Sequence, residues 1–256
     1  MIDMHCHIIP GIDDGSQDLS ESERMLLIAA DQGTKTIVAT PHYYRGYFEN
    51  RYEDIKTQTE VLNQFVKGLN IDIDIVPGQE VLLDKYTLQL YKEGILSGLN
   101  GTKYMLVEFP MDKMPQEAFD VLYELRILGI KPIIAHPERY AFILGNPKLI
   151  NAFLEEGCLF QLNSGSITGI FGKKVKETSQ LLLEHGIYSF IASDAHSDRG
   201  RNPGLKEAFS LASQIDMGIE KKVQDSCVAM LKDIEIIKAF EKLPEKKSIF
   251  NFLSRK

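Results

Sequence analysis

The chain has 256 residues, of which 44% are hydrophobic and 25% are charged. This length and composition predict one globular domain with a full hydrophobic core. The formal net charge of −7 argues against a broad nucleic-acid-binding surface, because such a surface needs a basic face.

Seven short, near-continuously apolar segments alternate with helical patterns along the chain. Strands that are buried on both faces of a parallel sheet have this composition. Alternating strands and helices predict such a sheet, either open and doubly wound or closed into a barrel. The first strand is not followed by G-x-G-x-x-G, which disfavours a dinucleotide-binding fold. The predicted strands are residues 1–7, 36–41, 72–80, 104–109, 132–136, 158–163 and 188–194.

Sequence signals also mark where the helices begin and end. Ser20 with Glu23 predicts a capping box, and Asn146-Pro147 predicts an N-cap followed by proline in the first turn. Four helices are expected to end at a glycine in the left-handed conformation. These glycines are Gly33, Gly129, Gly157 and Gly186.

Beyond about residue 205 the pattern contains only helices, in "LKEAFSLASQI" and "EKKVQDSCVAMLKDIEIIKAF". We therefore expect a single domain over residues 1–256. Its core spans about 1–205, and the C-terminal helices of about 205–256 pack on that core. The end segment "LPEKKSIFNFLSRK" is expected to pack against the body, with docking to a partner or a membrane surface as the alternative.

Histidine and carboxylate side chains stand at the carboxyl ends of most predicted strands. In a barrel these ends meet at one edge, where barrel enzymes assemble their sites. Residues two apart in a strand share a face, so His5 and His7 point the same way. So dense a cluster is costly to bury unless cations neutralise it, which predicts a site for two or three metal ions. The nine candidate ligands are His5, His7, Asp14, His42, Glu80, Glu108, His136, Asp194 and His196.

The donors are imidazole and carboxylate without thiolate, because Cys6 is expected on the opposite face of its strand. Such sites suit Mn²⁺, Fe²⁺, Zn²⁺ or Mg²⁺, and the donor types alone leave this choice open. The sixth histidine, His185, is expected on the surface in the last turn of a helix.

Three scattered cysteines favour a reducing compartment over a disulfide framework. The sequence has no signal peptide and no apolar run near the about 18 residues of a membrane span. These features predict a cytoplasmic protein without a transmembrane segment.

The ordered motifs resemble the PHP (polymerase and histidinol phosphatase) superfamily. They are the H-x-H near residue 1, the Asp that follows, "TPH", the strand-end Glu pair, "AHPER" and "SDAH". All nine metal-binding positions of that pattern are filled, over residues 1 to about 205. The resemblance implies a distorted (β/α)₇ TIM-like barrel with a trinuclear metal centre at the carboxyl ends of the strands.

Within that superfamily, "MIDMHCHIIPGIDDG", "HPERY" and "NSGSITGIFG" are most similar to the bacterial capsular-polysaccharide (CpsB/YwqE-type) branch. The resemblance implies a manganese-dependent protein-tyrosine phosphatase. Its partners would be phosphotyrosine proteins, above all tyrosine autokinases of capsular and exopolysaccharide synthesis. Attack of metal-bound hydroxide on phosphorus is the expected chemistry.

Three other functions are alternatives to a metal-dependent protein-tyrosine phosphatase. A histidinol phosphatase, or another small-molecule phosphomonoesterase of the superfamily, would keep the same metals and barrel. A cysteine-dependent phosphatase is disfavoured, because none of the three cysteines is followed by the arginine that its phosphate loop needs. A metal-stabilised binding module with lost chemistry is also disfavoured, because no ligand of the pattern is missing.

Arginines at the same edge would complete a phosphate clamp, since a guanidinium fork matches two phosphoryl oxygens. Arg139 is the first candidate, and a loop salt bridge with Glu138 is its alternative role. The family's second catalytic arginine matches Arg201, with Arg199 as the alternative.

Two further loops at this edge are candidates for binding the substrate or its phosphate. In "HYYRGYFENRY" we expect Tyr43, Tyr44 and Arg45 to bind the substrate, or else the rings to cover the rim of the barrel. "NSGSITGIFG" is expected to be a flexible turn, although its backbone N–H groups are an alternative phosphate site.

Overall fold

The computed structural model describes residues 1–237 and 240–244, and these form a mixed α/β fold. The strands are β1 (Ile2–Cys6), β2 (Thr36–Ala39), β3 (His42–Tyr44), β4 (Phe48–Glu49), β5 (Asp74–Pro77), β6 (Glu80–Leu82), β7 (Tyr104–Glu108), β8 (Lys131–Ala135), β9 (Leu159–Asn163) and β10 (Phe190–Ala192). The helices are α1 (Leu19–Asp31), α2 (Tyr52–Gly68), α3 (Thr87–Lys92), α4 (Ala118–Ile127), α5 (Ala141–Gly145), α6 (Ile150–Glu155), α7 (Ser164–Thr168), α8 (Lys173–Glu184), α9 (Lys206–Ile215) and α10 (Ile219–Leu231). None of the helices in these ranges is both long enough and apolar enough to span a membrane.

Every predicted strand is present, and the strands pair in parallel except for the β3–β4 hairpin. The prediction of a parallel α/β fold is thus confirmed. Two predicted strands are interrupted. The second breaks after β2 and resumes as β3, and the third breaks after β5 and resumes as β6. Glu80 therefore begins a strand instead of ending one.

Gly78 lies at the second break and explains why it occurs there. A Cβ atom at this position would lie 2.7 Å from Leu99 Cδ2 and 2.8 Å from Val38 Cγ1. Only a glycine lets the backbone pass this close to both side chains. Beyond the break, Glu80 pairs with His42 of β3 and with Leu106 of β7.

Hydrogen bonds connect the strands into two sheets, which an isolated bridge links. One sheet has the strand order β1-β2-β5. The other sheet has the order β4-β3-β6-β7-β8-β9-β10. A parallel bridge between Cys6 and Ala195 joins the end of β10 to β1, and the His7 N–H donates to the Ala195 carbonyl at 2.9 Å. Parallel strands in this order bring their carboxyl ends to one edge of the fold.

The predicted glycine ends of four helices are confirmed, whereas the predicted start of α1 is wrong. All four predicted terminal glycines have positive φ, between 64° and 84°. The capping box at Ser20 and Glu23 is wrong, because α1 begins two residues earlier. The Asp18 carboxylate accepts from the Glu21 N–H at 2.8 Å, and the Glu21 carboxylate accepts from the Gln17 N–H. Asn146 precedes a 3₁₀ turn (Pro147–Leu149) as expected, although its side chain makes no capping hydrogen bond.

The two C-terminal helices pack on the strands. Phe209 of α9 and Val223 and Cys227 of α10 belong to the main hydrophobic cluster. α10 ends at Leu231, well before the predicted end at residue 240, and Asp233 follows with φ of 56°. Of the end segment "LPEKKSIFNFLSRK", Leu243 is buried in the same cluster, and residues 245–256 lie outside the described residues.

Candidate metal centre

The nine predicted ligand residues come together at the carboxyl edge of the strands. Their ligand atoms form three overlapping groups, in each of which all atoms lie within 4.8 Å of one another. His136 Nε2 adjoins them at 2.9 Å from Glu80 Oε1. The groups are His7, Asp14, His42 and His196; His5, His7, Glu80 and Asp194; and His42, Glu80 and Glu108.

The geometry of the cluster fits divalent cations. Imidazole nitrogens and carboxylate oxygens face one another at 3.1 Å for His5 Nε2 and Glu80 Oε2, and at 3.4 Å for His5 Nε2 and Asp194 Oδ1. Donor atoms that share one cation at about 2.0–2.2 Å have separations of about 3.0–3.5 Å. Two buried atoms of the cluster, His42 Nδ1 and Asp194 Oδ1, have no hydrogen-bond partner among the described residues. Cations held by the groups to which these residues belong would give both atoms a partner.

Residues outside the predicted set orient the imidazole rings. Asp13 Oδ2 lies 2.7 Å from His7 Nδ1, and Gln161 Oε1 lies 3.1 Å from His5 Nδ1. Each contact leaves the Nε2 atom of its histidine facing the cluster, as is usual for metal-binding histidines. Gln161 Oε1 also accepts from the His136 N–H at 3.2 Å.

Sequence reasoning missed these orienting residues, although a signal for some of them existed. Gln161 and Asn163 occupy alternate positions at the end of a predicted strand, where the same reasoning had placed the ligands. Asp3 lies two residues before His5 on the same face of β1, and its carboxylate accepts from Ser193 Oγ at 2.6 Å. Burial raises the pKa of Asp3 to about 6.

The pKa shifts in the cluster show that its carboxylates are stabilised by nearby positive charge. Burial would lower the pKa of His5, but the carboxylates of Glu80 and Asp194 outweigh that effect and raise this pKa. Burial also opposes the charged form of Glu80, yet His5 and His42 hold its pKa well below the usual value. His196 differs, because burial and the charge of His7 lower its pKa to about 4. Cations would replace the protons that otherwise balance these carboxylates, so their binding should release protons.

The two arginines proposed from the resemblance converge on one oxygen atom. Arg139 Nη1 donates to Asp194 Oδ2 at 2.8 Å, and Arg201 Nη2 lies 2.7 Å from the same oxygen. Asn163 Nδ2 donates to it as well. Arg199, with its side chain 88% exposed, pairs with Asp198 instead. Of the two alternatives, the structure thus places Arg201 at the site.

The alternative role of Arg139, a salt bridge with Glu138, is wrong. The Glu138 side chain is fully buried and accepts from the Asn163 N–H at 3.0 Å and from the Tyr188 hydroxyl at 2.9 Å. Burial raises the pKa of this carboxyl group. Glu138 thereby fixes the end of β9, whereas Arg139 faces the cluster.

The aromatic loop after His42 divides into buried and exposed residues. Side chains alternate along β3, so Tyr43 points away from the face of His42. Its ring lies in the main hydrophobic cluster and is only 4% exposed, which corrects its assignment to substrate binding. Tyr44 is exposed on the rim beside Tyr47, with ring centroids 4.5 Å apart. Arg45 is also exposed, and its Nε donates to Asp84 at 3.0 Å.

The loop "NSGSITGIFG" is not the flexible turn that the sequence predicted. Residues Ser164–Thr168 form the short helix α7, and its N-cap Asn163 accepts from the Gly165 N–H at 2.8 Å. Beside it is a cavity of about 340 Å³ that Asn163, Thr168, Phe171 and Arg201 help to line.

The remaining histidine and the cysteines lie away from the cluster. His185 is half-buried at the end of α8, with Nδ1 3.0 Å from the Leu181 carbonyl oxygen. Cys6, Cys158 and Cys227 are buried free thiols. Burial raises the pKa of each. Cys6 belongs to a hydrophobic cluster, as expected for the face of β1 opposite His5.

Fold and site together define an α/β protein with parallel strands and a cluster of potential metal ligands at their carboxyl ends. Comparison with known sequences identifies the family. The sequence profile of the CpsB/CapC family of capsular polysaccharide synthesis matches residues 1–232. The chain belongs to this family, and the resemblance stated from its motifs is confirmed.

Individual relatives extend the match to nearly the whole chain. The tyrosine-protein phosphatase YwqE of Bacillus subtilis is 36% identical over 254 residues, which are 98% of this chain and 100% of YwqE. A crystal structure described for YwqE and for CpsB of Streptococcus pneumoniae, as metal-dependent tyrosine phosphatases, matches with a TM-score of 0.90. That match has 36% identity and covers 96% of this chain and 100% of the other.

A more distant structure shares the fold. It is the histidinol phosphate phosphatase of Lactococcus lactis, with a TM-score of 0.52 and 15% identity. The match covers 86% of this chain and 93% of that protein.

Proposed function

We propose that this chain is a metal-dependent protein-tyrosine phosphatase, with all nine clustered residues as metal ligands. The carrying observation is the buried imidazole–carboxylate cluster with two arginines converging on Asp194 Oδ2. The full-length similarity to a named tyrosine phosphatase supports the same reaction. We further propose that the substrates are bacterial tyrosine kinases of capsule and exopolysaccharide synthesis, in keeping with the family. The buried free cysteines suit an enzyme of the cytoplasm.

The proposed metal is manganese, in two or three ions. The three groups of ligand atoms overlap through His7, His42 and Glu80, which suits ions that share bridging ligands. Nitrogen and oxygen donors without thiolate suit Mn²⁺, with Fe²⁺, Zn²⁺ and Mg²⁺ as the alternatives to test. When bound, such ions would lower the pKa of a water molecule and neutralise the phosphoryl oxygens.

The protein's own groups would position the phosphate ester. Arg139 donates one N–H group to Asp194 Oδ2, Arg201 forms an ion pair with the same oxygen, and both retain further donors for phosphoryl oxygens. Among the described residues, Arg201 Nε has no hydrogen-bond partner, and a phosphoryl oxygen bound beside it would supply one. Two fixed guanidinium groups stabilise the charge of the transferring phosphoryl group. A phenolate leaving group, with a pKa of about 10, needs less protonation than an alkoxide.

The rim residues are proposed to contact the polypeptide around the phosphotyrosine. Tyr44 is exposed, as is the guanidinium of Arg45, whose Cζ lies 4.0 Å from the centre of the Tyr86 ring. Flat aromatic and guanidinium surfaces of this kind pack well against peptide side chains.

A side-by-side assay tests the proposal. The protein is stripped with a chelator, and phosphate release is then measured from a phosphotyrosine peptide and from histidinol phosphate, with and without Mn²⁺. We expect manganese to restore hydrolysis of the peptide, with little release from histidinol phosphate. The reverse preference would replace the proposal with a histidinol phosphatase. The Glu80→Ala variant is the control, because it should bind little manganese and stay inactive on both substrates.

A further inference from the structure

Arg139 and Arg201 carry like charges and meet at one carboxylate oxygen. Their guanidinium groups are partly accessible, with the side chains 16% and 29% exposed. One aromatic ring lies beside both. The Phe171 ring centroid is 4.3 Å from Arg139 Cζ and 5.9 Å from Arg201 Cζ. Both distances are within the range of a cation–π interaction, about 6 Å.

We infer that Phe171 is a positioning residue that holds this arginine pair ready for a phosphoryl group. The inference rests on the proposed phosphatase function, in which the pair binds phosphate. A ring face attracts a guanidinium group without using any of its N–H donors. Asp194 pairs with Nη1 of Arg139 and Nη2 of Arg201, and Phe171 restricts both side chains while their remaining donors stay available. A polar neighbour in place of the ring would compete with phosphate for those donors.

The backbone next to Phe171 restricts the position of its ring. A Cβ atom on Gly165 would lie 2.8 Å from Phe171 Cε2, so the ring packs directly against the backbone of α7. The N-cap of that helix, Asn163, donates to the same Asp194 oxygen as the arginines. One short segment after β9 therefore supports both the carboxylate and the arginine pair.

The test compares substitutions that remove or keep the aromatic ring. Phe171→Leu removes the ring and retains apolar volume, whereas Phe171→Tyr retains the ring. Phe65→Leu is the matched control, because Phe65 is a half-buried phenylalanine of α2 that packs on another hydrophobic cluster. For each variant we would measure manganese content, kcat and KM on a phosphotyrosine peptide, and inhibition by inorganic phosphate.

We expect Phe171→Leu to bind manganese normally and to lose about 3- to 30-fold in kcat/KM. Inhibition by inorganic phosphate should weaken in parallel. Phe171→Tyr and Phe65→Leu should behave like the wild type. In an Arg139→Ala background the loss caused by Phe171→Leu should shrink, because the nearer guanidinium group is gone.

The outcomes separate this inference from the proposed function. Wild-type turnover by Arg139→Ala would refute the phosphate-binding role of the arginine and, with it, the basis of the inference. An impaired Arg139→Ala enzyme beside a fully active Phe171→Leu enzyme would refute the inference alone. Loss of manganese in Phe171→Leu, or no rescue by tyrosine, would show that the ring only supports the fold. If Phe171→Leu does not fold, Phe171→Met replaces it with the same expected loss.

Discussion

Asp13→Asn tests whether the residues behind the cluster determine its metal affinity. The buried Asp13 carboxylate uses both oxygens: Oδ1 accepts from the Gly15 N–H at 2.9 Å, and Oδ2 accepts from His7 Nδ1 at 2.7 Å and the His42 N–H at 3.0 Å. Burial opposes the charge, but His7 outweighs it and keeps the pKa of Asp13 below its usual value. Asparagine has the same shape, yet one of its two terminal atoms is an NH₂ group. That group must face an N–H donor in either orientation.

The magnitude follows from the bonds that are lost. If the NH₂ group faces His7 and His42, two hydrogen bonds become donor–donor contacts and the His7 ring loses its orientation. If it faces Gly15, the neutral amide still holds His7 more weakly than a carboxylate does. Losing such an orienting group costs about 10- to 100-fold in metal affinity, or about 1.4–2.7 kcal/mol of binding free energy.

The assay is competition for Mn²⁺ between the purified variant and a chelator of known affinity, with circular dichroism to check the fold. Asp72→Asn is the control, because the Asp72 side chain is 89% exposed and pairs only with Lys35 at the surface. Surface pairs of this kind contribute little, so its Mn²⁺ affinity should equal that of the wild type. A folded Asp13→Asn protein with wild-type affinity would show that Asp13 does not control the His7 ring.

Four further outcomes are expected. His136→Ala should lose bound manganese and activity together, and elemental analysis showing full occupancy would remove His136 from the ligand set. Chelation of the wild type should lower Tm by about 5–11 °C in calorimetry. Metal at 100 times its Kd contributes about 2.7 kcal/mol to stability, and each kcal/mol moves Tm by about 2–4 °C at this size. An unchanged Tm would contradict metal binding. Gly15→Ala should weaken Mn²⁺ binding, because its Cβ would lie 2.4 Å from His7 Cβ, and competition with a chelator measures this. Cys6→Ala should keep its activity because burial raises the pKa of the thiol far above neutrality; an inactive, metal-loaded, folded variant would point to thiolate chemistry.

The residues of the cluster could be predicted because their signal is local. Apolar runs locate the strands, and in a parallel fold each strand end faces the same edge, so residues such as His5 and His136 meet without any knowledge of packing. The interruption before Glu80 was not predictable in this way. It depends on Gly78 passing close to Leu99, a contact between segments far apart in the chain.

Other residues escaped prediction for different physical reasons. Asp13 and Asp14 are neighbours in "IDDG", and only the folded loop shows that Asp13 orients His7 while Asp14 faces His196. Tyr43 was misassigned because aromatic density was considered without the alternation of side chains along a strand. Phe171 offers no signal in the sequence, since its role arises from where α7 ends relative to the arginines.

Asp194 connects the two halves of the site. Its Oδ1 lies 3.4 Å from His5 Nε2 in the imidazole–carboxylate cluster, while its Oδ2 accepts from Arg139 and forms an ion pair with Arg201. Burial would raise the pKa of Asp194, but His5, His7 and Arg201 hold it well below the usual value. Asp194 also has a φ of 50°, in the left-handed region that aspartate tolerates better than most residues. This conformation turns the side chain from the end of β10 into the cluster, and strain of this kind is typical of functional sites. In the proposed metal-loaded enzyme, metal ions and arginines would share one carboxylate, so a change on either side should alter how phosphate is held on the other.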